Sequence, residues 1–368
     1  MQAVNSTGWF AELLAQHEAP CVSMYFPAHR ASPPAEQNLQ RFRELLSQAE
    51  RMLMEKFPNK QAKAALAKLH TIPAEQIGAG PHDGIAIFAS PDYLQVLDLQ
   101  RPVDELCVVS ESFHVKPLIR TMQQGDRFQI LCLSLNRIRI LEGNQYAVSE
   151  VPLRNVPPSI LEARVVHIGG KNMPEQHGAT SAEQPAMRLD HFLRLLDTLV
   201  WENHSRVSHL PLIVAADVKN LSAFLEMSKN PYILEKGIAI DPEHQPNDRL
   251  RDEAWKLMEP RYQEEVRRLT DQFRVAQAHQ KGTDELPIVA EAAAVGRVGT
   301  LLVDANRYVP GVLHKTSGTI ESATSHDPRA EDLLDDLAEM VLKMDGQVYV
   351  LEHEQMPTDA GIAAVFRY

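Results

Sequence analysis

Short, continuous apolar runs set between longer stretches of helical period restrict this fold more than any other feature of the chain. "LPLIVAAD" at 210–217 and "RVGTLLVDANR" at 297–307 are two such runs. A strand that is apolar on both sides has to be covered on both faces, as happens inside an α/β sheet. Around them lie helix-period segments that stop at glycine: "LPIVAEAAAVG" ends at Gly296 and "RAEDLLDDLAEMVLKMDG" at Gly346. Strands "QVYVLEH" and "GIAAVFRY" follow the second helix. Helix and strand alternating, with glycine at the helix ends, predicts α/β layers.

The rest of the chain reads by the same two periods. "PCVSMYFPAHR" is a strand, and "EQNLQRFRELLSQAERMLMEKF" places Leu39, Phe42, Leu46, Ala49 and Leu53 on one helical face. "GPHDGIAIFASPDYLQVLDLQRPV" reads as two strands joined at "ASPD". "RFQILCLSLNRIRILEGNQYAVSEVPL" alternates as a hairpin or meander with "GNQ" as a turn. The run from Leu250 to Phe273 keeps helical period, with Pro260 expected to kink or split it. Trp9, Phe10, Leu13 and Leu14 mark a first amphipathic helix capped by Ser6 or Thr7. With 368 residues the chain exceeds one ordinary core. Boundaries are expected to give three α/β domains with mixed sheets, at 1–125, 126–246 and 247–368.

Charge narrows the partners. A net charge of −12 offers no general basic surplus of the kind non-specific nucleic-acid binders use to neutralise phosphates. An RNA partner has to be met by shape or by a local patch. No apolar run reaches the roughly 20 residues that span a bilayer, and the first residues lack the pattern of a signal peptide, so a cytoplasmic protein without a membrane partner is expected. Cys21, Cys107 and Cys132 stand apart in apolar strands and read as buried small hydrophobes. His167, His177 and His191 match no compact ligand spacing, so no metal is expected, and no cofactor motif occurs. The carboxylates of "DPEHQPNDRLRDE" and "RAEDLLDDLAE" read as solvated helix faces.

The stretch with the strongest functional flavour is "VVHIGGKNMPEQHGATSAEQPAMRLDHFLRLLDTLV", 165–200. It runs from an apolar strand through a long polar loop, 167–185, into an amphipathic helix. A connection of that length in a compact domain is usually functional or disordered. Glycines let a backbone approach a ligand closely, and a glutamine, Gln176 or Gln184, can orient a water.

The meander, this loop, the helix with Arg188 and Arg194, and then "LPLIVAADVKNLSAFL" resemble the central domain of the archaeo-eukaryotic peptide-chain release factor superfamily, which includes Pelota-like factors. "GRVGTLLVDAN" and "VYVLEHEQMPTDAGIAAVFRY" are similar to its third domain, itself related to kink-turn RNA-binding ribosomal proteins. The combination resembles the bacterial branch of that superfamily, over residues 126–368. The resemblance implies a release-factor-like architecture and a ribosome-associated role in translation quality control or rescue, with ribosome or tRNA as partner. In the family's release factors the loop carries His-Gly-x-Gly-Gly-Gln, which promotes peptidyl-tRNA hydrolysis. Here His177 and Gly178 match, Thr180, Ser181 and Ala182 lie where the Gly-Gly pair belongs, and Gln184 is the nearest glutamine. The implied catalytic positions are therefore Gln184, His177 and Gly178, on a variant loop that does not carry the hydrolytic motif intact. Arg188, Arg194 and Lys171 are the implied RNA contacts. Two other readings stand beside this one: an ester hydrolase using the variant loop, and a protein-interaction scaffold without RNA contact.

Overall fold

The computed structural model of the chain describes residues 8–15, 17–28, 34–78, 83–99, 101–123, 125–134, 136–153, 183–324, 327 and 329–368; at 34–35 and 183–190 it describes backbone only. The chain divides into two compact units: Met1–Gln123 with Gln263–Tyr368, and Gln124–Tyr262.

The first unit begins with helix α1 (Gly8–Leu14), strand β1 (Cys21–Pro27) and helices α2 (Pro34–Lys56), α3 (Lys60–Leu69) and α4 (Ala74–Gly78). Strands β2 (Gly84–Ala89), β3 (Leu94–Leu99) and β4 (Leu106–Ser110) and helix α5 (Lys116–Met122) follow. The strands form one antiparallel sheet in the order β3-β2-β1-β4. Its two central strands are buried along almost their whole length, so they appear as continuous apolar runs. The two-residue period sorts their side chains. Val22, Met24, Phe26, Ile85 and Ile87 face the α2 stripe of Phe42, Leu45, Ala49 and Leu53. Tyr25, Ala86 and Phe88 enter another core, shared with the C-terminal part of the unit.

The second unit holds strands β5 (Phe128–Leu133), β6 (Ile138–Gly143) and β7 (Val148–Val151), helix α6 (Glu183–Val200), strand β8 (Leu212–Ala216), helix α7 (Val218–Met227) and strand β9 (Ile238–Ala239). Sheet order is β7-β6-β5-β8-β9; β5, β8 and β9 are parallel and the rest antiparallel, a mixed sheet. The expected meander is β5-β6-β7. At its second turn a Cβ on Gly143 would overlap the Ala147 carbonyl oxygen, so backbone alone fits there. Phe192, Leu193, Leu196 and Val200 of α6 and Phe224 of α7 cover one face of the sheet, while Leu250, Ala254 and Met258 cover the other.

Asp217 caps α7: its carboxylate accepts from the backbone N–H of Lys219 and of Asn220, both at 3.1 Å. Asp217→Ala is expected to cost about 1 kcal/mol of stability, the usual loss for an N-cap carboxylate, measurable as a lowered urea midpoint. An unchanged midpoint would show that the cap does not hold.

Helix α8 (Asn247–Ala278) runs as one helix through Pro260. The expected split is absent: proline removes one backbone hydrogen bond, and the helix stays continuous across it. Beyond it lie β10 (Gly282–Thr283), α9 (Leu286–Ala294), β11 (Val298–Asp304), β12 (Pro310–His314), β13 (Thr319–Ser322), β14 (Glu331–Asp332), α10 (Leu333–Lys343), β15 (Gln347–Leu351) and β16 (Ile362–Phe366). One sheet has the order β10-β16-β11-β15, with β11 and β15 parallel; a small antiparallel sheet has β13-β12-β14. Gly296 ends α9 in the left-handed region, φ +67°. At the end of α10 the left-handed residue is Asp345, φ +57°, rather than Gly346.

The carboxylates of "RAEDLLDDLAE" are not a solvated face. Asp332, Asp335, Asp336 and Glu339 are all buried. The correction has a physical cause in the segment 111–123, which lies against α10 and brings Lys116 and backbone donors, and in Lys315 and Lys343. Lys116 Nζ donates to Asp332 Oδ2 and to the Arg307 carbonyl, both at 2.6 Å. Val115, the N-cap residue of α5, has no polar side chain to cap that helix. Asp335 does so from α10: its Oδ1 accepts from the N–H of Val115 at 2.8 Å and of Lys116 at 2.5 Å. His114 Nδ1 stands 3.4 Å from Asp335 Oδ2. Lys315 and Lys343 both donate to Glu339. Burial pushes the Asp335 carboxyl up, Asp332 adding to the rise, while the backbone donors pull against it. For Glu339 burial also pushes upward, but its two lysines outweigh that and hold it below the usual range. The carboxylates of "DPEHQPNDRLRDE", by contrast, are exposed or half-buried.

Candidate functional site

Lys171, His177 and Gly178 lie outside the described residues, as do His167 and Gln176. Gln184 and Arg188 fall in the first turns of α6, where backbone alone is described. Arg194 is in full view, on the exposed side of α6. Of the histidines and arginines singled out from the sequence, His191 and Arg194 have described side chains, and the two share the exposed face of α6.

That face is built from helical period. Phe192, Leu193, Leu196 and Val200 turn to the sheet, which leaves His191, Arg194, Leu195 and Thr198 outward. Asp197 anchors the helix: its carboxylate accepts from Ser228 Oγ at 2.5 Å and from the Lys229 N–H at 2.9 Å. The next five residues, Trp201–Ser205, form a π-helical turn. There the Arg206 N–H donates to the Trp201 carbonyl, and the Asn203 side chain donates to the Leu199 carbonyl at 2.8 Å. Asn230 Nδ2 donates to the buried Ser205 hydroxyl at 2.8 Å, and His209, in the left-handed region at φ +56°, closes the segment on Tyr232. The root of the helix is thus pinned at three places.

The π-turn sets a guanidinium over an indole. In an α-helix, residues five apart lie about 140° around the axis. Here the Arg206 Cζ sits 5.6 Å from the Trp201 ring centroid. Neither Arg194 nor Arg206 has an ion-pair partner among the described residues. Reading the segment at α period hides this pair, because the π-turn changes the period where the two residues meet.

In the first unit a second polar arrangement stands at the C-terminal ends of the parallel strands β11 and β15. His353 Nδ1 lies 2.7 Å from Asp304 Oδ2, while Asp304 Oδ1 accepts from the N–H of Asn306 and of Arg307. The hydrogen bond and charge of Asp304 raise the His353 pKa. Sequence reading missed this pair, since forty-nine residues separate its members. The three cysteines are free and buried, and burial pushes each thiol up to about 12, as inert packing groups. Among the described residues no cluster of three or more His, Cys, Asp or Glu could hold a metal ion, and no helix is long and apolar enough to cross a membrane.

Residues 127–297 match the family model described as bacterial archaeo-eukaryotic release factor family 3. No curated protein matches the chain. Among solved structures, the archaeal translation termination factor aRF1 is 15% identical, over 98% of this chain and 96% of that one, with a TM-score of 0.26. Pelota from Archaeoglobus fulgidus is 16% identical, over 77% and 79%, with a TM-score of 0.29. A chain of a model of ribosome-bound archaeal Pelota and ABCE1 is 12% identical, over 98% and 93%, with a TM-score of 0.40.

Proposed function

We propose, from the premise that this chain is a bacterial archaeo-eukaryotic release-factor-like protein through residues 127–297, that it is a ribosome-associated factor of translation quality control or rescue. The family match is the observation that carries this reading. The outward face of α6 and the π-turn that follows it support the reading: Arg194 on the helix and Arg206 just after the turn have no carboxylate partners among the described residues, on a segment firmly rooted in its sheet. Such a face suits phosphate contact in a chain whose overall charge is −12, because the contact is local. The printed names of the similar structures, a translation termination factor and a ribosome-bound Pelota, agree with this direction.

In this proposal the three sequence segments, 1–125, 126–246 and 247–368, are the modules of a release-factor-like architecture, and the protein works in the cytoplasm. Arg188, Arg194 and Lys171 contact RNA, ribosomal or tRNA. Hydrolysis is left out of this function, because Thr180, Ser181 and Ala182 take the places of the Gly-Gly pair and its following glutamine. If an ester is cleaved, Gln184 orients the water, with His177 and Gly178 shaping the loop.

Co-sedimentation with ribosomes at low and moderate salt tests the proposal. The wild-type chain is expected in the ribosomal fraction, more so at low salt. Arg194→Ala is expected to weaken binding several-fold and to lower the slope of log affinity against log salt by about 1, the signature of one lost phosphate contact. Absence of the wild-type chain from ribosomal fractions at both salts would overturn the proposal.

A further inference from the structure

The Trp201–Arg206 pair has a chemistry that the family match does not supply. Trp201 is 36% exposed, a large aromatic surface left in water beside a guanidinium. A π-turn inserts a residue into the helical ladder, and such turns occur often at functional sites. Here its effect is definite: it carries Arg206 from the far side of the helix to a position over the indole. The structure holds the turn with the side chains of Asn203 and Asn230. Arg194 lies seven residues before Trp201, two turns away and about 10 Å along the same column. Between His191 and Arg206 the exposed charges of the described residues are Arg194, Arg206 and a single carboxylate, Glu202.

We propose that Trp201 and Arg206 form a stacking platform for one unpaired RNA base, with Arg194 holding a neighbouring phosphate. Unstacked bases are recognised by aromatic rings and by guanidinium planes, which every base can stack on. The guanidinium completes the platform and adds positive charge where the sugar–phosphate chain turns past. RNA is favoured over a protein partner because the two cations have no carboxylate partners among the described residues and flank an aromatic ring. This inference rests on the ribosome reading above and names the chemistry of its contact.

The test uses the full-length chain and a fluorescently labelled single-stranded RNA oligonucleotide, read by anisotropy, beside ribosome co-sedimentation. Trp201→Ala is expected to weaken oligonucleotide binding about 5- to 100-fold, the range for losing one stacked base. Trp201→Phe keeps a ring and should stay within a few-fold of wild type. An oligonucleotide made abasic throughout should bind wild type and Trp201→Ala alike, since the phosphates remain and the bases are gone. Equal oligonucleotide binding by wild type and Trp201→Ala, or no binding by wild type, overturns the platform. If ribosome binding survives that result, the ribosome reading stands alone; if the wild type also misses the ribosome, both fail. If Trp201→Ala loses the ribosome yet binds the oligonucleotide like wild type, the face meets a protein and the base-stacking proposal is overturned. Should Trp201→Ala fail to fold, Trp201→Phe against intact and abasic RNA decides.

Discussion

Lys116→Met is expected to destabilise the first unit by roughly 3–5 kcal/mol, the cost of leaving one member of a buried ion pair alone. The side chains of Lys116 and Asp332 are only 5% and 2% exposed, so water cannot replace the lost ammonium. Removing it strands two acceptors: Asp332 Oδ2 and the Arg307 carbonyl. Asp332 cannot turn away, because its Oδ1 accepts from the N–H of Val309 and of Leu334 at the start of α10. Urea unfolding of the full chain measures the loss. Lys116→Met combined with Asp332→Asn should recover most of it, since asparagine still caps and carries no charge. A single-variant loss below about 1 kcal/mol would show that the pair is hydrated and contributes as a surface pair does.

Acid sensitivity should trace to His114. Burial holds its pKa down near 4, with Lys116 acting in the same direction and Asp332 against it. Between about pH 4 and 6.5 the unfolded chain protonates this histidine and the folded chain does not. The unfolded state then binds more protons, so stability rises with pH through that window and is flat above it. The full swing is roughly 3 kcal/mol. Asp335, with its raised carboxyl, acts with the opposite sign in the same region, because there the folded state binds the extra proton. Comparing wild type with His114→Gln removes that common contribution. The difference between their stability curves should grow as pH falls from 6.5 to 4, with His114→Gln the less acid-sensitive protein. Parallel curves would mean that His114 stays accessible to protons in the folded state.

Both predictions sit on residues whose importance the sequence conceals. The "EDLLDDLAE" run has the composition of a solvated helix face, and charge alone favours that reading. What buries it is a segment more than two hundred positions away, from Glu111 to Gln123, which brings Lys116 and the uncapped start of α5. Other elements were legible because their cause is local. The apolar stripe of α2, the β5-β6-β7 meander and the buried strands β8 and β11 follow from periods of 3.6 and 2 and from the covering of two-sided strands. The left-handed end of α9 follows from the freedom of Gly296, whereas the end of α10 shifted by one residue to Asp345, a position that glycine preference does not announce.

Of the candidate site, sequence alone singled out the 167–185 stretch, and resemblance supplied Arg194 and the family that residues 127–297 match. Sequence alone also determined the mixed helix-and-strand character, the burial of three cysteines and the absence of a general basic surplus, since hydrophobic period and net charge are properties of neighbours and sums. Tertiary structure alone decided that Asp335 caps a distant helix, that Asp304 meets His353, and that a π-turn lays Arg206 over Trp201. The first two join residues far apart in the chain, and the third changes the period itself, so periodic reading of the sequence could not place any of them.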